Sequence, residues 1–210
     1  MMQVLPQNTL RLFTFITFML VSSWTIANAP SSNESITPTD PTYVIKTTLE
    51  KITAFSSNSN RVNPLKLRDF IETQIIPHFD FNNMSHWITG RHARNMSESD
   101  KSDFQRNLRE TFLTSLSKHL GSFDAENTRV RFYPARYRGP AEAFASASVY
   151  RPDNMPVRLD FRMRRNGNDW KIIDVKANGS SAVIYYRRHF ISQLRQYQRQ
   201  YRTQNRYTQR

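Results

Sequence analysis

The side chains able to do chemistry in this chain are few, and their spacing limits what chemistry is open to them. The histidines are His78, His86, His92, His119 and His189, and none of them falls in a His-Glu-x-x-His or other metal-ligand spacing. His78 and Asp80, two apart with His86 close by, come nearest to an acid–base pair. Ser180-Ser181 lacks the Gly-x-Ser-x-Gly elbow of a serine nucleophile. Cysteine is absent, which removes thiolate catalysis, disulfides and thiolate metal sites. No glycine-rich phosphate loop is present. Asp80 and Asp174 read as partners of backbone N–H groups or of an arginine. The expectation is a non-enzyme with no catalytic residue, no metal and no cofactor.

Arginine is the exception, because it binds anions without catalysis. The chain has 30 Lys and Arg against 17 Asp and Glu, a formal charge of +13, which favours nucleic acid, acidic headgroups or an acidic protein surface. Arg136 and Arg138 beside Gly139, and Arg187 and Arg188 soon after Gly179, are candidates for a headgroup or partner contact. The last 18 residues hold five Arg and no acid, interleaved with Tyr. Arg beside Tyr suits phosphates and stacked bases, so a basic nucleic-acid-binding or anionic-surface-binding module is the rival class.

These residues need elements to position them. From Thr42, Ile45, Leu49, Ile52 and Phe55 recur at helical steps. Asn63-Pro64 gives an N-cap and a proline at the first helical position, and Leu67, Phe70, Ile71 and Ile75 run to Pro77. His78 to Gly90 crowds Phe79, Phe81, Met84 and Trp87 into short helical turns. Ser97 with Asp100 opens a further helix that Gly121 is placed to end. The period then falls to two. Residues 129–132, 143–149 and 157–163 alternate, and Trp170 to Val175 returns from the turn Asn166–Asp169 as a hairpin partner with a loop of about four residues. Gly179-Ser180-Ser181 breaks the strand and caps a last helix along Val183, Phe190, Leu194, Tyr197 and Tyr201. The pattern predicts an α+β fold, an antiparallel sheet covered on one face by helices.

The N-terminal segment has the form of an export signal. Arg11 precedes the apolar run Leu12–Val21, and small residues lead to Ala27-Asn28-Ala29, so 1–29 reads as a signal peptide. A Ser/Thr/Pro-rich lead-in over 30–41, a domain over 42–198 and a basic tail over 199–210 follow.

Two blocks carry a family resemblance. Leu159, Phe161, Trp170, Lys171, Asp174, Val175, Gly179, Ser181, Tyr186, Arg187 and Phe190 follow the order and spacing of the MlaC family of periplasmic phospholipid-binding proteins. The stretch from Pro77 to Leu116 is similar to that family's Pro-x-Phe-Asp-Phe, Met, Gly and Phe-x-x-x-Phe/Leu arrangement. The sequence departs from the pattern at His92-Ala93-Arg94, at Ala177-Asn178 and in its Arg/Gln/Tyr tail. The resemblance implies a periplasmic carrier with phospholipid as cargo and no cofactor. It implies two partners, an MCE-domain protein of an inner-membrane ABC transporter and an outer-membrane lipoprotein complex, with no specific nucleic acid. It also implies an apolar lipid cavity between sheet and helices. Candidate lining residues are Phe81, Met84 and Trp87, then Phe112 and Leu116. From the sheet side come Val149, Leu159, Phe161 and Val175, with Val183 at the start of the last helix. The small residues Ala143, Ala145 and Ala147 leave room beside a strand.

Overall fold

Capping side chains fix where the helices start. In the computed structural model, which describes residues 40–57, 63–120, 125–152 and 155–208 (side chains of 201–208 aside), α1 spans Pro41–Ser57. Asp40 Oδ1 accepts from Thr42 N–H at 2.6 Å, so the helix begins just inside the segment expected as a lead-in. Asn63 caps α2 (Pro64–Phe70) through Leu65 N–H at 2.9 Å. The expected stripe to Ile75 is not one α-helix. It widens into a π-helical turn over Ile71–Ile75 and tightens into a 3-10 turn over Ile76–His78 around Pro77. Proline has no N–H for the ladder, and the altered winding buries Ile71, Ile75 and Ile76 together.

Asp80 caps α3 (Phe81–Thr89), accepting from Asn83 N–H at 2.9 Å. A 3-10 turn, Gly90–Asn95, leads to α4 (Glu98–Leu120). Ser97 and Asp100 form the reciprocal capping box: Asp100 N–H donates to Ser97 Oγ at 3.1 Å and Ser97 N–H to Asp100 Oδ2 at 3.3 Å. The expected stop at Gly121 and the proposed signal segment lie outside the described residues.

The strands are β1 (Arg129–Tyr137), β2 (Glu142–Tyr150), β3 (Val157–Asn166), β4 (Asp169–Ala177) and β5 (Ser180–Ser181). They form one meander in the order β1-β2-β3-β4-β5, antiparallel throughout. β1 runs past the expected end at Phe132 because the register shifts between Tyr133 and Arg136, where Pro134 cannot donate to the ladder. The β3–β4 loop is shorter than expected. Asn166 pairs with Asp169, and Gly167 takes a φ of 62° at the first central position of a two-residue loop. Asn178 and Gly179, at φ 47° and 83°, make a second tight hairpin that sequence reading took as a simple break. From it springs α5 (Ala182–Thr208), which continues through most of the segment expected as a tail. Gln and Arg are good helix formers, so that composition is compatible with a helix.

One sheet face is apolar. Ala143, Ala145 and Ala147 pair with Met163, Phe161 and Leu159, and α1 lays Ile45 against this surface. A second apolar cluster lies among the helices, built on Ile71, Ile75, Met84, Ile88, Leu113 and Phe190. Leu49 and Phe79 touch both clusters and join them. Phe79 also bridges to Ile172, and Asp80 N–H donates to Ile172 C=O at 2.9 Å, which hangs α3 from the edge of β4.

Candidate functional site

The proposed lining residues divide between the two clusters. Phe81, Met84 and Val183 are buried in the helical one, with Phe112, Leu116 and Trp87 half-buried against it. Phe161 is buried in the sheet cluster, with Leu159 and Val175 packed on it. Val149 is half-buried near the end of β2, paired with Val130 and Val157. The seam between the clusters is aromatic: Phe79 meets Phe112 at a centroid distance of 4.6 Å, and Phe81 meets Phe112 at 5.6 Å. Ala143, Ala145 and Ala147 are 0% exposed. The strand surface is thus smooth and lacks bulk where the helices cover it.

Trp87 departs from this arrangement. Its ring lies 3.9 Å from the Arg162 guanidinium carbon, and Arg162 alternates with Phe161 and Met163, so it points to the opposite sheet face. That face carries a polar lattice the sequence reading passed over. Arg162 forks onto Glu142 at 2.7 and 3.0 Å, Ser146 donates to Asp160 at 2.7 Å, and Tyr133 and Ser148 share a hydrogen bond of 3.1 Å. The hydrogen bonds from Arg162, aided by its charge and by Arg138 and Arg164, hold the Glu142 carboxyl below its usual range. The hydrogen bond to Ser148 leads a group of contacts that lower the Tyr133 phenol. The signal was present as Phe144, Ser146 and Ser148 alternating with the alanines.

The candidate arginines do not converge. Arg136 and Arg138 are exposed at the β1–β2 turn, whereas Arg187 and Arg188 lie on α5, which follows the opposite sheet edge. Arg187 lines a pocket of about 260 Å³ with Arg91, His92 and Arg195. The sequence reading singled out only Arg187 from this group. Tyr186, the preceding residue on α5, packs against the helical cluster, where burial pushes its phenol up to about 12, Tyr185 adding to the effect.

Asp174 positions α5. It is buried, accepts from Ser181 Oγ at 2.7 Å and from Val183 N–H at 3.1 Å, while Ser181 Oγ accepts from Ile184 N–H at 3.1 Å. Burial, with Lys51 and Lys171 nearby, lowers the basicity of His78. Among the described residues there is no cluster of three or more metal-ligand side chains, and no helix long and apolar enough to cross a membrane.

A sequence model of the MlaC protein family matches residues 44–203, from the first turn of α1 into the far half of α5. The chain belongs to the MlaC family. Among solved structures, a phospholipid-binding protein from Ralstonia solanacearum, determined in complex with a phospholipid, matches with a TM-score of 0.64. The identity is 20%, over 73% of this chain and 86% of the other, so the likeness is one of fold. No curated protein matches. Within an MlaC chain the match spans both apolar clusters and the Asp174–Ser181 anchor of α5.

Proposed function

We propose that this protein carries phospholipid across the periplasm, between an outer-membrane lipoprotein complex and the MCE-domain protein of an inner-membrane ABC transporter. Export through the segment 1–29 would place it there, and the transport would maintain the lipid asymmetry of the outer membrane. The observation that carries the reading is membership of the MlaC family. A fold shared with a protein solved around a phospholipid supports it.

The physical demand on such a carrier is large. Each acyl CH₂ left in water costs about 0.8 kcal/mol, so two chains of roughly fifteen carbons need shielding worth about 20 kcal/mol or more. The covered sheet face suits that task. Ala143, Ala145 and Ala147 give acyl chains a flat bed, and Leu159, Phe161, Val175, Phe81 and Phe112 offer apolar walls. Because the alanines are fully covered, chains enter as the helical layer parts from the sheet. Leu49 and Phe79, which touch both clusters, are where that parting acts. The phosphate stays near water, since a buried unpaired charge is far costlier than a solvated one.

The test is organic extraction of the purified mature protein followed by mass spectrometry, beside a form lacking 199–210. The expected result is about one phospholipid per chain in both, as an enclosed apolar site implies. Absence of lipid in both, even after incubation with liposomes, overturns the reading.

A further inference from the structure

Four cationic or proton-binding side chains meet at the pocket beside α5. Arg91 and His92 come from the 3-10 turn Gly90–Asn95, and Arg187 and Arg195 lie two turns apart on α5. Ile191 and Leu194 add an apolar surface between the two arginines of the helix. No carboxylate is among the lining residues. Five other arginines, Arg68, Arg106, Arg109, Arg158 and Arg162, each pair with an Asp or Glu. Arg91, Arg187 and Arg195 form no ion pair among the described residues.

The walls are fixed to the core. Gly90 takes a φ of 54° and leaves room for the Arg187 guanidinium, since a Cβ there would stand 3.2 Å from its Nη2. The His92 ring sits edge-on to Phe190, centroid to centroid 6.2 Å, and Phe190 is buried in the helical cluster. Like charges gathered without a counter-ion repel one another, and an anion placed among them relieves that repulsion. Planar guanidinium forks match phosphate oxygens, and charge-assisted hydrogen bonds of this kind are the strong ones.

We propose that this pocket binds a phosphate ester, with Arg91, Arg187 and Arg195 on the phosphate oxygens and Ile191 and Leu194 against the carbon side of the ester. The group comes from an anionic lipid headgroup at a membrane surface or from a soluble phosphate ester, which present the same chemistry. The site lies at the border of the helical cluster, against which Ile191 and Leu194 pack, and does not rest on the carrier reading.

The experiment titrates the full mature chain with glycerol phosphate by calorimetry and, in parallel, floats it with phosphatidylglycerol-containing vesicles. Three proteins are compared: the parent, R91Q/R195Q, and R129Q/R131Q, which removes the same charge from exposed positions on β1. Saturable binding is expected, weakened about tenfold or more in R91Q/R195Q and less than about twofold in R129Q/R131Q, as loss of local charge-assisted hydrogen bonds implies. That pattern with glycerol phosphate makes a soluble ester a sufficient ligand. The same pattern with vesicles alone assigns the lipid headgroup. Equal losses in the two double variants, or no binding of either probe, overturns the proposal. Extractable phospholipid is expected to be the same in all three proteins, so failure of this pocket and failure of the carrier reading are read separately.

Discussion

Asp174 ties the last strand to the last helix through one carboxylate, accepting from the Ser181 hydroxyl and from the Val183 N–H at the first turn of α5. Removing it leaves a buried hydroxyl and a helix N–H short of an acceptor. Asp174→Ala is therefore expected to lower unfolding stability by about 1–3 kcal/mol, with Asp174→Asn milder because one acceptor remains. Urea denaturation followed by circular dichroism checks the order; an Ala variant as stable as the parent contradicts this role. Glu142 and His78 make stability depend on pH in separate windows. Both have folded pKa values below their unfolded ones, so the unfolded chain takes up protons first and stability falls as pH falls. For His78 the loss begins near the ordinary value of 6.5, and for Glu142 near 4.5. Denaturation midpoints at stepped pH should show two declines, with His78→Gln reducing the upper one, to which His119, also lowered by burial, contributes, and Glu142→Gln removing the lower. Unchanged profiles in both variants exclude this assignment.

At the scale of elements, the strand β2 decides between a packed core and a core with room for cargo. Ala145 is fully buried opposite Phe161 and in the cluster with Ile45. Ala145→Leu inserts bulk there, which overpacking is expected to penalise by about 1–3 kcal/mol. If acyl chains share this layer, Ala145→Leu also loses co-purifying phospholipid, whereas Asp174→Ala, destabilised to a similar extent at the start of α5, keeps it. Equal lipid content in both variants places the chains elsewhere. The elements set by local signals were legible in the sequence. Asn63-Pro64, the Ser97–Asp100 box and the alternation of Val157 to Met163 leading to the Gly167-Asn168 turn each state their structure within a few residues. What escaped depended on distant partners. The bulge at Pro134 answers to the register of β2, and the π turn over Ile71–Ile75 serves the burial of three isoleucines in the helical cluster. Trp87 read as apolar lining because nothing near it in sequence reveals Arg162. Arg91 and Arg195 stayed hidden because they meet only through tertiary packing, whereas Arg187 was visible from its place soon after the Gly179 turn and in a family pattern.

For the whole molecule, the two forces argued above act on different steps. The charge of +13 produces a field that draws the protein to anionic surfaces and speeds encounter, and salt screens that field over about 10 Å at 0.1 M but about 3 Å at 1 M. Burial of acyl chains between sheet and helices, as the proposed function requires, would be an apolar effect, which added sodium chloride does not weaken in this way. Uptake and retention should therefore part company as salt rises. Transfer of a fluorescent phospholipid from phosphatidylglycerol-containing vesicles to the protein is expected to slow several-fold between roughly 0.05 and 0.5 M sodium chloride, as steering is screened. Phospholipid already bound is expected to stay through gel filtration at either salt. Stripping of cargo by salt means that charge, and not the apolar layer, holds the lipid. Transfer indifferent to salt means that the basic surface takes no part in meeting the membrane, leaving the Arg-lined pocket beside α5 to act on soluble esters alone.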